Sequence, residues 1–187
     1  MSTNALKDAV LIEFKSEAVP PTLAGTLKSF GDALICLALE EPRVTAYVRG
    51  ANAPDVAGAV AALNPMEVSR LKAVRVFQGA SARATATHHY IVRTDVASGG
   101  AEDLEHWYDD EHMPGLAAVP GVVLAQRLVS LDAGPYYYAC YDLVSPDVLH
   151  SKEWLAVRET DWSSRVRPTF RNPRRIMCRR VLEISKP

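Results

Sequence analysis

The sequence predicts an α+β fold in which two βαββαβ units in tandem close into one α/β barrel within a single chain. Three observations predict it. Apolar runs of strand length and segments of helical period follow one another as β-α-β-β-α-β from residue 9 to residue 78. The next segment, GASARATA at 79–86, carries no large apolar side chain and reads as a linker. After it the same order returns between residues 87 and 184.

In the first unit, AVLIEF (9–14) is a short apolar strand. Beyond Pro20 and Pro21, residues 22–30 place Leu23, Leu27 and Phe30 at helical spacing. ALICLALE (33–40) and VTAYVRG (44–50), joined through Glu41-Pro42, read as a hairpin. Residues 52–55 open a helix that runs into VAGAVAALN, and LKAVRVFQ (71–78) closes the unit as a strand. In the second unit, THHYIVRT (87–94) is a strand, Gly99-Gly100 breaks the chain, and residues 101–112 form a helix ended by Pro114-Gly115. VVLAQRLVSL (122–131) and YYYACYDL (136–143) are strands around a turn at 132–134. Ser145-Pro146-Asp147 combines a serine cap with proline at the first helical position. The helical region beyond it breaks near Thr160-Asp161, and RIMCRRVLEI (175–184) is the last strand. Each unit has the split βαβ order of a ferredoxin-like fold, whose sheet carries helices on one face and leaves the other to be covered. A second copy covers it. The units are residues 1–80, which carry no site motif, and 85–187. With both in one chain, barrel closure needs no dimer, so monomer and homodimer are both open.

Composition narrows the function classes. The chain has 187 residues, a formal net charge of -1 and three cysteines in separate strand-like runs. The balanced charge favours neither nucleic acid nor a membrane surface as partner. No apolar run approaches the roughly 18 residues that span a bilayer, and MSTNALKDAV lacks the pattern of a signal peptide. Cys36, Cys140 and Cys178 form no CxxC pair, so they read as reduced and buried, which suits a cytoplasmic protein. No G-x-G-x-x-G, Walker loop or G-x-S-x-G occurs, and no cofactor or metal is expected.

The densest chemistry lies in EHWYDDEHMPG (105–115). On a helix, Leu104, Trp107, Tyr108 and Glu111 share a stripe with His112 at its edge, while Asp103, Asp109 and Asp110 fall off it as solvated charges. His106 and His112 fall on nearly opposite faces, which argues against a shared metal. One reading is an amphipathic helix ending in a histidine. The other points His112 into the barrel mouth as a general acid or base, oriented by Glu111 or Asp109. Alternation puts His89, with Ile91 and Arg93, on the barrel-lining face of its strand, opposite His88. Arg127 on the strand after the motif offers a fork of donors to an anionic oxygen. Tyr138 shares a face with Tyr136 and Cys140 and offers a stacking surface, as does Trp107. Trp154 and Trp162, eight apart, read as core. Arg165, Arg167, Arg171, Arg174, Arg175, Arg179 and Arg180 could form an anion or RNA patch, but the balanced net charge and poor aromatic interleaving favour a solvated face paired with carboxylates.

Tyr108-Asp-Asp-Glu-His112-Met-Pro114 resembles the aromatic-x3-His-x-Pro motif of EthD-like proteins of the dimeric α/β-barrel superfamily. Pro120-Gly121 before the next strand and SKEWLAVRETDWSSRVRPTFRN are similar to that pattern too, over about residues 85–184. The resemblance implies a small-molecule enzyme of catabolism or secondary metabolism, of monooxygenase, isomerase, cyclase or decarboxylase type, with no obligatory cofactor and an apolar or aromatic substrate. His112 would be its acid or base, with Tyr108 and Arg127 orienting the substrate. It also leaves open a non-enzymatic ligand-binding or stress-related barrel and, more weakly, haem handling. The first unit departs from the motif: PPTLAGTLKSFGD contains no histidine.

Overall fold

A computed structural model describes residues 7–185 of the chain. Its strands are β1 (Ala9–Phe14), β2 (Asp32–Ala38), β3 (Val44–Arg49), β4 (Glu67–Gln78), β5 (His88–Val96), β6 (Val122–Ser130), β7 (Tyr137–Leu143) and β8 (Phe170–Ile184). The helices are α1 (Leu23–Leu27), α2 (Ala53–Val60), α3 (Ala101–His106), α4 (Met113–Ala117), α5 (Lys152–Arg158) and α6 (Asp161–Val166). The strands form a closed barrel in the order β1-β3-β2-β8-β5-β7-β6-β4, all pairs antiparallel. Within it each unit keeps the same local order: β4-β1-β3-β2 in the first and β8-β5-β7-β6 in the second. The seams are β4 with β6 and β2 with β8, so the last strand of each unit pairs with the second strand of the other. This is the single-chain barrel that the repeated element order predicts.

Three apolar clusters explain why so many strands are buried on both faces. Inside the barrel every strand contributes, among others Leu11, Leu34, Tyr47, Leu71, Ile91 and Ile176. The interior is thus a packed core. Outside it, α1 and α2 press Leu23, Leu27, Val56 and Val60 onto Val10, Ile12, Ile35 and Val48. The second unit repeats this arrangement with α3–α6 over β5–β8. All three cysteines are free and buried. Two charged knots lie within the barrel: Glu13 with Arg43 and Arg93, and Asp142 with His89 and Arg180.

Gly79 in the linker has no room for a side chain, since a Cβ there would lie 2.0 Å from the Val122 carbonyl oxygen. Its N–H donates to Val123 O, so the linker is laid against the start of β6. Several element ends differ from the sequence reading. The helix expected over 22–30 is reduced to Leu23–Leu27, and β4 and β8 begin four and five residues earlier than expected. Pairing across the seams extends these last strands, and a seam joins residues far apart in sequence, which local patterns do not register. Pro114-Gly115 does not stop the helix: α4 continues through both residues, and the chain turns only at Pro120 and Gly121, whose φ is 93°.

Candidate functional site

Pro114 shapes the segment that carries the motif. In an α-helix a proline lacks its N–H, and its ring crowds the carbonyl four residues back, here that of Asp110. The helix instead widens into a π-helix over Trp107–His112, with the Met113 N–H donating to Tyr108 O, five residues back. In an α-helix residues five apart are about 140° apart around the axis. The wider turn brings them into line: His112 stacks on Trp107, with ring centroids 4.0 Å apart and planes at 21°. Trp107 is fixed in turn by its indole N–H, which donates to Ser163 Oγ at 3.2 Å, and Ser163 donates to Val157 O. π-Turns within helices are rare and recur at functional sites.

His112 therefore does not point into the barrel mouth. It lies outside the barrel, in a cleft between the helix layer and the outer face of β5, β7 and β8. Tyr90, Trp107, Tyr108, Tyr141, Trp154 and Phe170 wall the cleft, and Arg158, Arg167 and Arg175 stand in its lining. The cavity measures about 30 Å³, room for one water, so a larger guest enters only as side chains move. His112 is 8% exposed and its Nδ1 has no hydrogen-bond partner. Burial, and then the charges of Arg158 and Arg167, lower its pKa to about 3, so the ring is neutral at pH 7. Burial raises the Tyr108 hydroxyl well above the usual phenol value, although Arg127 opposes it.

The carboxylates expected to orient His112 are engaged elsewhere. Asp109 is not a free solvated charge: it accepts from Arg127 at 2.7 Å and from Arg75 at 3.3 Å. Arg127 is only 2% exposed, but it lies on the helix-facing side of β6 and does not line the barrel interior. Its guanidinium sits 5.8 Å from the Tyr108 ring centroid, beneath the motif helix and outside the cleft lining. Glu111 accepts from Thr160 Oγ1 at 2.7 Å, and that same oxygen accepts from Ser163 N to cap α6. We expect Thr160→Ala, which removes both bonds, to cost about 1–2 kcal/mol in urea unfolding, the upper end of a lost N-cap. His106 is exposed and pairs with Asp110.

His89 and Tyr138, both expected at the site, face the barrel interior, away from the cleft. His89 Nδ1 bonds Asp142 Oδ1 at 2.7 Å, and Arg180 pairs with the other carboxylate oxygen at 2.6 Å. Burial by itself would raise the Asp142 pKa, but these partners hold it at about 2. Tyr138 packs in the interior cluster, where burial pushes its hydroxyl up to about 12. The motif residues Trp107, Tyr108 and His112 are thus brought together, and His89, Arg127 and Tyr138 are not.

Sequence reasoning did not single out Arg158 and favoured a solvated face for Arg167 and Arg175, which stand in the cleft lining. Arg165, Arg174 and Arg180 do pair with carboxylates, the last of them inside the barrel and not on a solvated face. Among the described residues Arg158, Arg167 and Arg175 have no such partner. The signal was available: between Val166 and Leu182 the chain has no acidic residue at all. Trp154 and Trp162 are separated by the break at Thr160; Trp154 enters the cleft wall and Trp162 donates to Asp103 at 2.8 Å. Among the described residues no three His, Cys, Asp or Glu side chains are grouped to hold a metal ion, and no helix is long and apolar enough to cross a membrane.

Comparison with known proteins finds the fold and no family. No family model matches the chain, so EthD-like membership stays a resemblance of motif, and no curated protein matches either. Among solved structures, the chain is similar over 99% of its length to an anthrone oxidase-like protein, at 13% identity, with a TM-score of 0.66 and 95% of that chain covered. A ferredoxin-fold protein from Listeria monocytogenes related to antibiotic biosynthesis monooxygenases matches with a TM-score of 0.62 at 6% identity, over 94% of this chain and 96% of that one. A variant chlorite dismutase from Candidatus Nitrospira defluvii matches with a TM-score of 0.60 at 8% identity, over 96% and 93%.

Proposed function

We propose that the protein is a small-molecule enzyme in which the His112 imidazole moves a proton on an aromatic substrate held in the cleft of the second unit. The observation that carries this reading is the state of His112: neutral, buried, held flat on Trp107, and with a ring nitrogen that no protein group engages. A buried polar atom without a partner costs free energy. An orphan on a residue that lines a cleft is explained by a group that arrives with the ligand. The aromatic walls supply stacking faces, and a few polar groups converge among them, as in small-molecule sites generally. In the proposed step a C–H bond next to a carbonyl breaks. Its proton goes to the imidazole, and its electron pair stays on the substrate as an enolate, whose negative charge beside Arg158 and Arg167 offsets the field that keeps the free His112 neutral. Return of the proton completes an exchange or an isomerisation. The oxidase and monooxygenase descriptions belong to structures at or below 13% identity, and this step needs no oxidant.

A haem group does not fit the cleft. A porphyrin, far larger than the two- and three-ring compounds proposed for the cleft, would have to part the helix layer from the sheet. No step is routed through it.

The test follows deuterium exchange into anthrone under nitrogen in D2O by NMR. The protein is expected to accelerate exchange, and His112→Gln to reduce that acceleration by 100-fold or more, the usual scale of acid–base catalysis. Full acceleration in the variant, or none in the wild type, would overturn the reading. Oxygen uptake on admitting air would extend it toward a cofactor-independent monooxygenase.

A further inference from the structure

We propose that the cleft takes an aromatic oxyanion, a carboxylate or phosphate carried on a ring, with the charged end among Arg158, Arg167 and Arg175. The inference rests on the reading of the cleft as an aromatic small-molecule site and adds the charge of what it binds. The three arginines come from three elements: the end of α5, the turn after α6, and the outward face of β8. They are close enough to act on the same groups. All three oppose the rise in the Tyr90 pKa that burial causes, and Arg158 and Arg175 add to burial in lowering that of Arg167. Like charges gathered beside a buried aromatic wall repel, and among the described residues none of the three has a carboxylate as ion-pair partner. Arg167 does donate to the Arg158 carbonyl at 3.2 Å, which orders the pair and leaves both charges uncompensated.

Two further groups point to the same ligand chemistry. Trp154 Nε1, an indole N–H that can only donate, is buried in the wall without an acceptor. His112 Nδ1 is the second orphan. An array of guanidinium forks with a lone indole donor matches the oxygens of a carboxylate or phosphate and repels a cation. Arg158 and Arg167 are half-buried and Arg175 is exposed, so long side chains form the mouth and their movement opens the narrow cleft. The chain as a whole is slightly acidic, so this positive field is local to the cleft.

Calorimetric titration of the intact protein with 2-naphthoate, 2-naphthyl phosphate and the neutral 2-naphthamide tests the proposal. Each anion is expected to bind at least tenfold more tightly than the amide. In Arg158→Gln/Arg167→Gln the anions should fall to the level of the amide, whose own binding stays as it was. Circular dichroism confirms the fold of the variant, and the single Arg175→Gln variant, at an exposed position, gives a second measurement that should lose part of the advantage. Equal binding of amide and anions, or an advantage that survives all three substitutions, would overturn the proposal and leave the aromatic site standing. Failure of all three compounds to bind would overturn both.

Discussion

Replacing Glu13 by alanine is expected to cost roughly 3–5 kcal/mol of stability, because it strands two buried guanidiniums. Glu13 is 1% exposed and accepts from Arg43 and Arg93, the latter at 3.1 Å. Burial raises its pKa, and the two arginines only partly oppose that rise. The carboxylate is therefore less at ease as an anion here than in water, and its ion pairs do not fully offset its desolvation. That makes the intact knot a weak source of net stability and the broken knot a strong source of instability. Arg93 retains Glu67, at 3.8 Å, and a hydrogen bond with Tyr138, while Arg43 keeps Glu41 at 2.7 Å. Urea unfolding of Glu13→Ala, alone and together with Arg93→Ala, separates these contributions. The double variant should recover part of the loss. A loss below about 1 kcal/mol in the single variant, the ordinary worth of a surface pair, would contradict the argument. Since Glu13 lies on β1 and Arg93 on β5, the knot also ties the two units together inside the barrel.

The sequence carried the element order and the barrel, because hydrophobic period and turn chemistry are local and each unit repeats them. The break at Thr160 was readable for the same reason: a side-chain cap is a local device, and Thr160 caps α6 as read. Alternation also placed His89, Ile91 and Arg93 on the inward face correctly. What was not legible depended on contacts across the fold. The reading placed His112 in the barrel mouth because it took the barrel interior for the pocket. Yet Leu11, Leu34, Leu71 and Ile91 fill most of that interior, leaving about 10 Å³ beside Tyr47 and His89, and the aromatic cleft lies under the helices. Arg127 could not be separated by spacing from an anion-binding arginine, since its partner Asp109 lies 18 residues away on the helix that covers it. The stacking of His112 on Trp107 was hidden by the assumption of an α-helix. Pro114 held the information, but it was read as a stop signal when its effect is to widen the turn before it.

Acid should destabilise the protein well above the carboxylate range, and His112 should be the main reason. An unfolded histidine titrates near 6.5, whereas in the folded chain burial, Arg158 and Arg167 bring His112 to about 3. Below pH 6.5 the unfolded chain therefore binds a proton that the folded chain refuses. Stability then falls as pH falls, by a little over 1 kcal/mol per pH unit, until the folded pKa near 3 is reached. Every group facing the ring opposes protonation or is neutral: Arg158, Arg167 and Arg175 from the mouth, Tyr90 and Tyr141 from the sheet, and Trp107 and Tyr108 from its own helix. Asp142, held at about 2, acts the same way only near and below its unfolded value of about 3.9, and Glu13, whose pKa burial raises, acts in the opposite direction, so the comparison with His112→Gln assigns the histidine's share over pH 4.5–6.5. Urea unfolding across that window should lose roughly 2–3 kcal/mol in the wild type, and the slope should flatten in His112→Gln. An unchanged slope in the variant would refute the assignment. The same linkage joins the pH profile to the ligand: an oxyanion among the three arginines would cancel part of the field that keeps His112 neutral. With 2-naphthoate bound, the loss on acidification should still begin near pH 6.5 but be smaller and level off at higher pH, because the folded protein then holds a proton that the free protein rejects.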